Sequence, residues 1–317
     1  MIRRSVVLGA VLALFATIGL AGPGQAATPR PLPVPYSFLP SAVLAGLNLD
    51  ADPPGANDFA CKPTAAHPRP VVLVHGLSGN KNTNWQTMSP LLKNNGYCVF
   101  ALTYGIPAGA PLPLTQFGGF TLIEESAAEL GAFIDEVLAA TGATQVDIVG
   151  HSEGTVVPNA YAKFLGGAAK INQYVSIAPL WNGTNPLGLA NLAVLGTPFG
   201  LTPLLFGALE LYFASGPQLL TGGDFFTRLR ADGGPAVPGI TYTNIVTRYD
   251  ELVIPYTSGF SPGMTNIDLQ KVCPWDFSEH FQIVASPNTG RLMLNALDPA
   301  SAQPVRCRLV LPFVGTL

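Results

Sequence analysis

Charge is scarce in this chain. Asp, Glu, Lys and Arg make up 11% of its 317 residues and leave a formal net charge of −3, so there is no basic stripe with which to hold a nucleic acid. Histidine and cysteine are also scarce, four of each. None stands in a Cys-x-x-Cys or His-x-x-x-His spacing, which removes the usual metal-site patterns and leaves no cofactor to expect. Past the first 26 residues no apolar run is unbroken enough for a membrane span. Even in the most apolar stretch, Pro198, Gly200, Pro203 and Gly207 interrupt too often. What abounds is Gly (34), Pro (30) and hydrophobic residues (48%), which with clear periodic segments describes a folded, loop-rich globule.

The N-terminus has its own pattern. Arg3 and Arg4 precede an apolar run from Val6 to Leu20, followed by Gly22-Pro23-Gly24-Gln25-Ala26, the layout of a cleavable secretory leader over 1–26. As a membrane anchor the run is short and broken at its end. The mature chain is expected to start near Ala27, to be secreted, and to use an even number of cysteines in two disulfides. Cys61–Cys98 and Cys273–Cys307 are the most local of the three pairings. Roughly 290 residues remain, enough for one large domain, expected to act as a monomer.

Pro29, Pro31, Pro33, Pro35 and Pro40 open a Pro-rich extension over 27–69, read as extended surface structure. From residue 70 to 317 the pattern alternates. Val71–Val74, Tyr97–Leu102, Val146–Val149, Ile171–Ile177, Ile240–Val246 and Met264–Val272 read as strands, and Trp85–Asn94, Leu122–Ala140 and Thr155–Leu165 as helices. Alternation of this kind predicts an α/β fold, a mostly parallel central sheet with helices on both faces. Ligands of such sheets bind at the carboxyl ends of the strands.

Directly after one strand stands Gly150-His151-Ser152-Glu153-Gly154, followed by a helical stretch. That is the context of a nucleophile elbow, whose glycines allow a sharp turn while the serine projects. A serine hydroxyl needs a base, most often His, held by a third group. His151 is inside the elbow, His67 lies in the Pro-rich extension, and His75 ends the first strand, so His280 is left, late in the chain as the order Ser, Asp, His requires. For the acid, Asp250 follows the strand ending at Val246, with the adjacent Glu251 as its rival. Pro158 in the helix after the elbow should bend that helix. An oxyanion needs two backbone N–H donors, assigned to Glu153 and, from His75-Gly76-Leu77-Ser78-Gly79, to Leu77. Between the fourth and fifth strands, about 179–235, lies an apolar insertion with Leu204, Leu205, Phe206 and Leu209. It reads as a cap lining an acyl-chain pocket, with helices buried in the core as the alternative.

Asn57-Asp58-Phe59-Ala60-Cys61, His75-Gly76, the elbow, and Tyr249-Asp250-Glu251 before a proline resemble the secreted bacterial lipases of class 2, and the triad order is similar to the lipase B type. The resemblance runs from about Ala51 to Cys307. It implies an α/β-hydrolase fold, a Ser152–Asp250–His280 triad, an oxyanion hole at Leu77 and Glu153, no metal, and a lipid or other ester as substrate, with transient contact at lipid interfaces. In lipase B the position of Leu77 resembles a Thr whose hydroxyl adds a donor, which Leu cannot supply. Acyl transfer to an alcohol is an alternative on the same triad. A non-catalytic binding protein is an alternative of another class.

Overall fold

A strand that is apolar at every position has no face to show to water and belongs inside a sheet covered on both sides. The computed structural model places Val71–Val74 (β1), Val99–Leu102 (β2), Val146–His151 (β3), Ile171–Ile177 (β4), Thr241–Val246 (β5) and Thr265–Asp268 (β6) in one sheet of order β2-β1-β3-β4-β5-β6. Every pairing is parallel. Residues 30–186 and 213–316 are described; the leader expected over 1–26 and the middle of the insertion, with Leu204, Leu205, Phe206 and Leu209, lie outside the described residues.

Among the described residues the α-helices are Phe38–Gly46 (α1), Lys81–Asn84 (α2), Met88–Asn94 (α3), Ile123–Thr141 (α4), Val157–Phe164 (α5), Ser215–Leu219 (α6), Asp224–Arg230 (α7), Leu269–Val272 (α8) and Pro287–Leu297 (α9). The pleat of β1 shows how they are divided. Val72 and Val74 enter one apolar layer with Leu130 and Ile134 of α4, while Val71 and Leu73 enter the other with Met88 and Leu92 of α3 and Met293 of α9. In α4, Ile123, Ala127, Leu130, Ile134 and Val137 are all buried at helical spacing, and Gly142 stops the helix at φ +77°. Burying each of its large aliphatic side chains contributes about 1.5–3 kcal/mol, so tertiary contact outweighs propensity here.

The chain differs from the sequence expectations at four places. The helix expected over Trp85–Asn94 starts only at Met88, as α3, and a separate short helix that was not expected, α2, precedes it, opened by a capping box between Asn80 and Thr83. The strand expected from Met264 to Val272 ends at Asp268, whose carboxylate caps the Gln270 N–H and turns the chain into α8. Pro158 does not bend a helix: a 3₁₀ turn over Ser152–Thr155 precedes it, and Pro158 falls in the first turn of α5, where no hydrogen bond is lost. The Pro-rich segment is not wholly extended. It contains α1, with Pro40 tolerated in the first turn and no proline in the rest of the helix.

Cys61 is joined to Cys98, with Cα atoms 5.8 Å apart, tying this segment to the start of β2. Cys273 is joined to Cys307, with Cα atoms 5.0 Å apart, across the loop that carries His280. In the sheet order, β1 has β2 on one side and β3 on the other. The winding reverses there, and a crevice opens beyond the carboxyl ends of β1 and β3.

Candidate active site

Ser152 stands at the end of β3 in a conformation that most residues avoid, with φ +54°. Two contacts explain the glycines around it. A Cβ on Gly150 would lie 2.1 Å from the Gly154 carbonyl oxygen, and one on Gly154 would lie 2.1 Å from that of Val74. The loop after β1 crowds in from the other side, since a Cβ on Gly76 would be 3.0 Å from the Ser152 Cβ. Within that loop Gly76 N–H donates to Asn84 Oδ1, Ser78 N–H to the Gly118 carbonyl and Gly79 N–H to the Gly76 carbonyl. The N–H groups of Leu77 and Glu153 have no hydrogen-bond partner among the described residues. Two unspent donors thus come from the segments that meet at Ser152, which is what a developing oxyanion requires.

Asp250 lies in the loop after β5. Its Oδ1 accepts from the N–H groups of Leu252 (3.0 Å) and Val253 (2.7 Å), so the loop orients its own carboxylate. His280 Nδ1–H donates to Asp250 at 2.8 Å and 3.0 Å from the two oxygens. This fixes the tautomer and leaves Nε2 as the basic nitrogen. Burial opposes charge on this imidazole, but the Asp250 carboxylate, with Glu251 and Glu279 behind it, outweighs burial and holds its pKa above the ordinary value. Glu251 has a different task from its neighbour: its Oε2 accepts the backbone N–H of His280 at 3.1 Å.

The other histidines are engaged elsewhere. His151 is buried between Asn84 Oδ1, 3.1 Å from Nδ1, and the His280 carbonyl, 3.0 Å from Nε2, and burial lowers its pKa far below the ordinary value. His75 Nδ1–H donates to the Gly76 carbonyl at 2.8 Å, and burial pushes its pKa down to about 4. His67 stacks on Tyr97 at 3.9 Å, beside the amino end of β2 and far from the crevice. Sequence reasoning missed the side chains that brace the His280 loop. Buried Asp276 accepts from Ser278 Oγ (2.5 Å), Ser286 Oγ (2.5 Å) and Asn288 Nδ2 (2.8 Å), and Thr247 Oγ1 donates to the Ser278 carbonyl at 2.6 Å. No spacing rule announces such a web.

Ser152, His280 and Leu77 face one cavity of about 700 Å³. Its walls are apolar: Phe38 and Val43 come from α1, and Leu180, Phe213 and Leu219 from the described flanks of the insertion. A cavity of this size and character suits a hydrocarbon chain placed against a reacting carbonyl. Among the described residues no group of three His, Cys, Asp or Glu side chains could hold a metal ion.

The comparisons agree with this architecture. Aspergillus fumigatus lipase B superposes with a TM-score of 0.59 at 18% identity, over 80% of this chain and 56% of that one. A Bacillus licheniformis lipase in its mature form gives 0.53 at 18% identity, over 76% of this chain and 94% of that one. At such identity they show the fold alone, the α/β-hydrolase arrangement expected from the sequence. Among curated proteins, a triacylglycerol lipase of Burkholderia plantarii is 34% identical over 123 residues, which is 37% of this chain and 31% of that protein. One of Pseudarthrobacter phenanthrenivorans is 35% identical over 95 residues, 28% and 27% respectively. The matched stretch therefore spans less than a third of the length of either relative. The family model for lipase (class 2) matches residues 68–291, well over half of the chain, and the chain belongs to that family.

Proposed function

We propose that this protein is a secreted serine ester hydrolase that cleaves acylglycerols through an acyl-enzyme. Ser152 Oγ attacks the ester carbonyl while His280 Nε2 takes its proton, and Asp250 steadies the imidazolium. The N–H groups of Leu77 and Glu153 hold the oxyanion of the tetrahedral intermediate. The imidazolium then protonates the departing alcohol, and water repeats the sequence to release the acid. No cofactor takes part. The observation that carries this reading is the meeting, on one apolar cavity, of a serine at φ +54° and a histidine bonded to a buried carboxylate. Export behind the N-terminal leader is supported by the two disulfides. Transient contact of the monomer with a lipid surface is supported by the exposed Val43, Leu44 and Leu47 of the α1 region and by Phe117 and Phe281 at the cavity mouth.

Labelling with a fluorophosphonate and turnover of a series of esters of rising acyl length test this. The chain should label, and Ser152→Ala should abolish both labelling and turnover while keeping the melting temperature. Activity as kcat/KM should climb with each added methylene, by up to about 0.8 kcal/mol, until the cavity is filled. Labelling that survives in Ser152→Ala, or a preference for acetate over longer acyl groups, would overturn the assignment of the nucleophile or of the substrate respectively.

A further inference from the structure

Glu153 has a side chain with no part in the chemistry above, and it is a carboxyl group with no exposed surface. Its Oε2 is 3.4 Å from Tyr104 Oη, it hydrogen-bonds with the Ser215 hydroxyl at the start of α6, and its Oε1 is buried without a partner. Each hydroxyl has a backbone carbonyl that competes with Glu153 for its one proton. Tyr104 Oη donates to the His75 carbonyl at 2.8 Å, and Ser215 Oγ donates to the Gly119 carbonyl at 2.5 Å. A hydroxyl that donates to its carbonyl accepts toward Glu153, and for Tyr104 the carbonyl, at 2.8 Å, is the nearer of the two acceptors against 3.4 Å for Glu153 Oε2. With both protons spent on the carbonyls, a carboxylate would meet lone pairs, whereas a carboxylic acid has one O–H to give. Burial acts in the same direction and pushes this carboxyl well above the usual carboxylate range.

The group is placed to hold something. A Cβ on Gly119 would lie 2.2 Å from Glu153 Oε2 and 3.3 Å from the Leu77 Cα, so the carboxyl, the oxyanion loop and Gly119 meet at a point that leaves no room for a side chain. This strap, Gly118–Phe120, is bonded on one edge to that loop, where Ser78 N–H donates to the Gly118 carbonyl and Gly118 N–H to the Gly79 carbonyl. On its other edge Ala214 N–H donates to the Phe120 carbonyl. Around the carboxyl, Tyr104 faces it from beyond β2 with His75 stacked behind the ring. Glu129 of α4 accepts the Gly105 N–H next to Tyr104, and Ser215 comes from α6. No lysine or arginine pairs with it among the described residues.

We propose that the Glu153 side chain is a positioning device that clasps the Gly118–Gly119 strap against the elbow and thereby sets the Leu77 N–H where the tetrahedral intermediate needs it. One residue then serves both halves of the oxyanion hole, the first through its own N–H and the second through its side chain. This rests on the reading of Ser152 as the nucleophile.

The test is the rate of fluorophosphonate labelling from pH 6 to 10 for the wild type, Glu153→Gln and Glu153→Ala, with kcat and KM on one soluble ester. Glu153→Ala should lose about tenfold or more in kcat with little change in KM, because the oxyanion contact exists only beyond the ground state. Glu153→Gln, which keeps a donor of the same shape, should restore most of that loss. The wild-type rate should bend downward above the usual carboxylate range as the acid ionises, and Glu153→Gln should lack that bend. Wild-type and Gln profiles that superimpose across the whole pH range would overturn the clasp, and this comparison decides the matter even if Glu153→Ala does not fold. A wild-type chain that fails to label at all sinks the ester-hydrolase reading, and the clasp with it.

Discussion

The two sides of the crevice are built on opposite principles. On the nucleophile side, shape rules: Gly150 and Gly154 are required because any side chain would enter a neighbouring carbonyl, and Ser152 is held at a positive φ by close approach of backbone to backbone. On the side of the base, polarity rules: His280 is held by Asp250 at its ring, by Glu251 at its N–H, and by the Asp276 and Thr247 bonds to its loop. The steric device is written in a few glycines and tolerates almost nothing. A hydrogen-bonded device is assembled from distant residues, and its members differ widely in what their loss should cost.

That difference sets the order of expected effects. The largest belongs to the polar side. Asp250→Asn should cut kcat about 10⁴-fold, because an amide stabilises the wrong imidazole tautomer, while Glu251→Gln should cost only about a few-fold, since one neutral hydrogen bond contributes about 1 kcal/mol. Steady-state kinetics on the two variants settle the choice between the neighbouring acids, and a reversed ranking would move the triad acid to Glu251. On the steric side, Gly154→Ala should reduce labelling about a hundredfold and lower stability by about 1–3 kcal/mol or more, since the new methyl can be housed only by moving β1 or β3. Denaturant melts alongside labelling rates would show it, and a Gly154→Ala protein with normal labelling would mean that shape is not what holds the elbow.

The smallest effect is a shift in pH dependence. His280 must be unprotonated to act as a base, and its pKa is raised, so kcat/KM should fall on the acid side at a pH above the ordinary histidine value. Stability should follow the same group with the opposite sense. The folded form binds this proton more tightly than the unfolded chain, so the contribution is fully present below the ordinary value and is lost as pH rises through the raised one. In Asp250→Asn, with the main charge that raises it removed, the residual activity should show its acid limb at lower pH, and an unmoved limb would point to another titrating group.

How much of this was legible in the sequence follows the same division. The elbow could be read because its two glycines and its serine stand within five consecutive residues between a strand and a helix, although the carbonyl that Gly154 must clear is that of Val74 in β1. His280 could be reached only by elimination and order, and the acid only to within the pair Asp250 and Glu251, because neither carries a local pattern. Asp276 stood in the sequence only as a weak rival for the acid, four residues before His280; its bracing role had no local pattern, because it draws on Ser286 and Asn288, ten and twelve residues away. Side-chain capping explains two departures: Asn80 opens a short helix that no apolar pattern announced, and Asp268 ends a strand that the apolar pattern carried on to Val272. α1 escaped notice because the prolines before it set the reading of the whole segment, whereas its helix is retained by packing, with Phe38 against Phe281 at 5.6 Å.

α1 also lies upstream of residue 68, where the match to the family begins. The cavity therefore has one wall, with Phe38 and Val43, that is not part of what defines the family. Reaction and appetite are separable in such a design. On the proposed reading, membership specifies the machinery at the strand ends, while the fit of an acyl chain is decided partly by a helix that lies outside the family match. Selectivity of this kind is what an engineer of ester hydrolases would look for first in this chain.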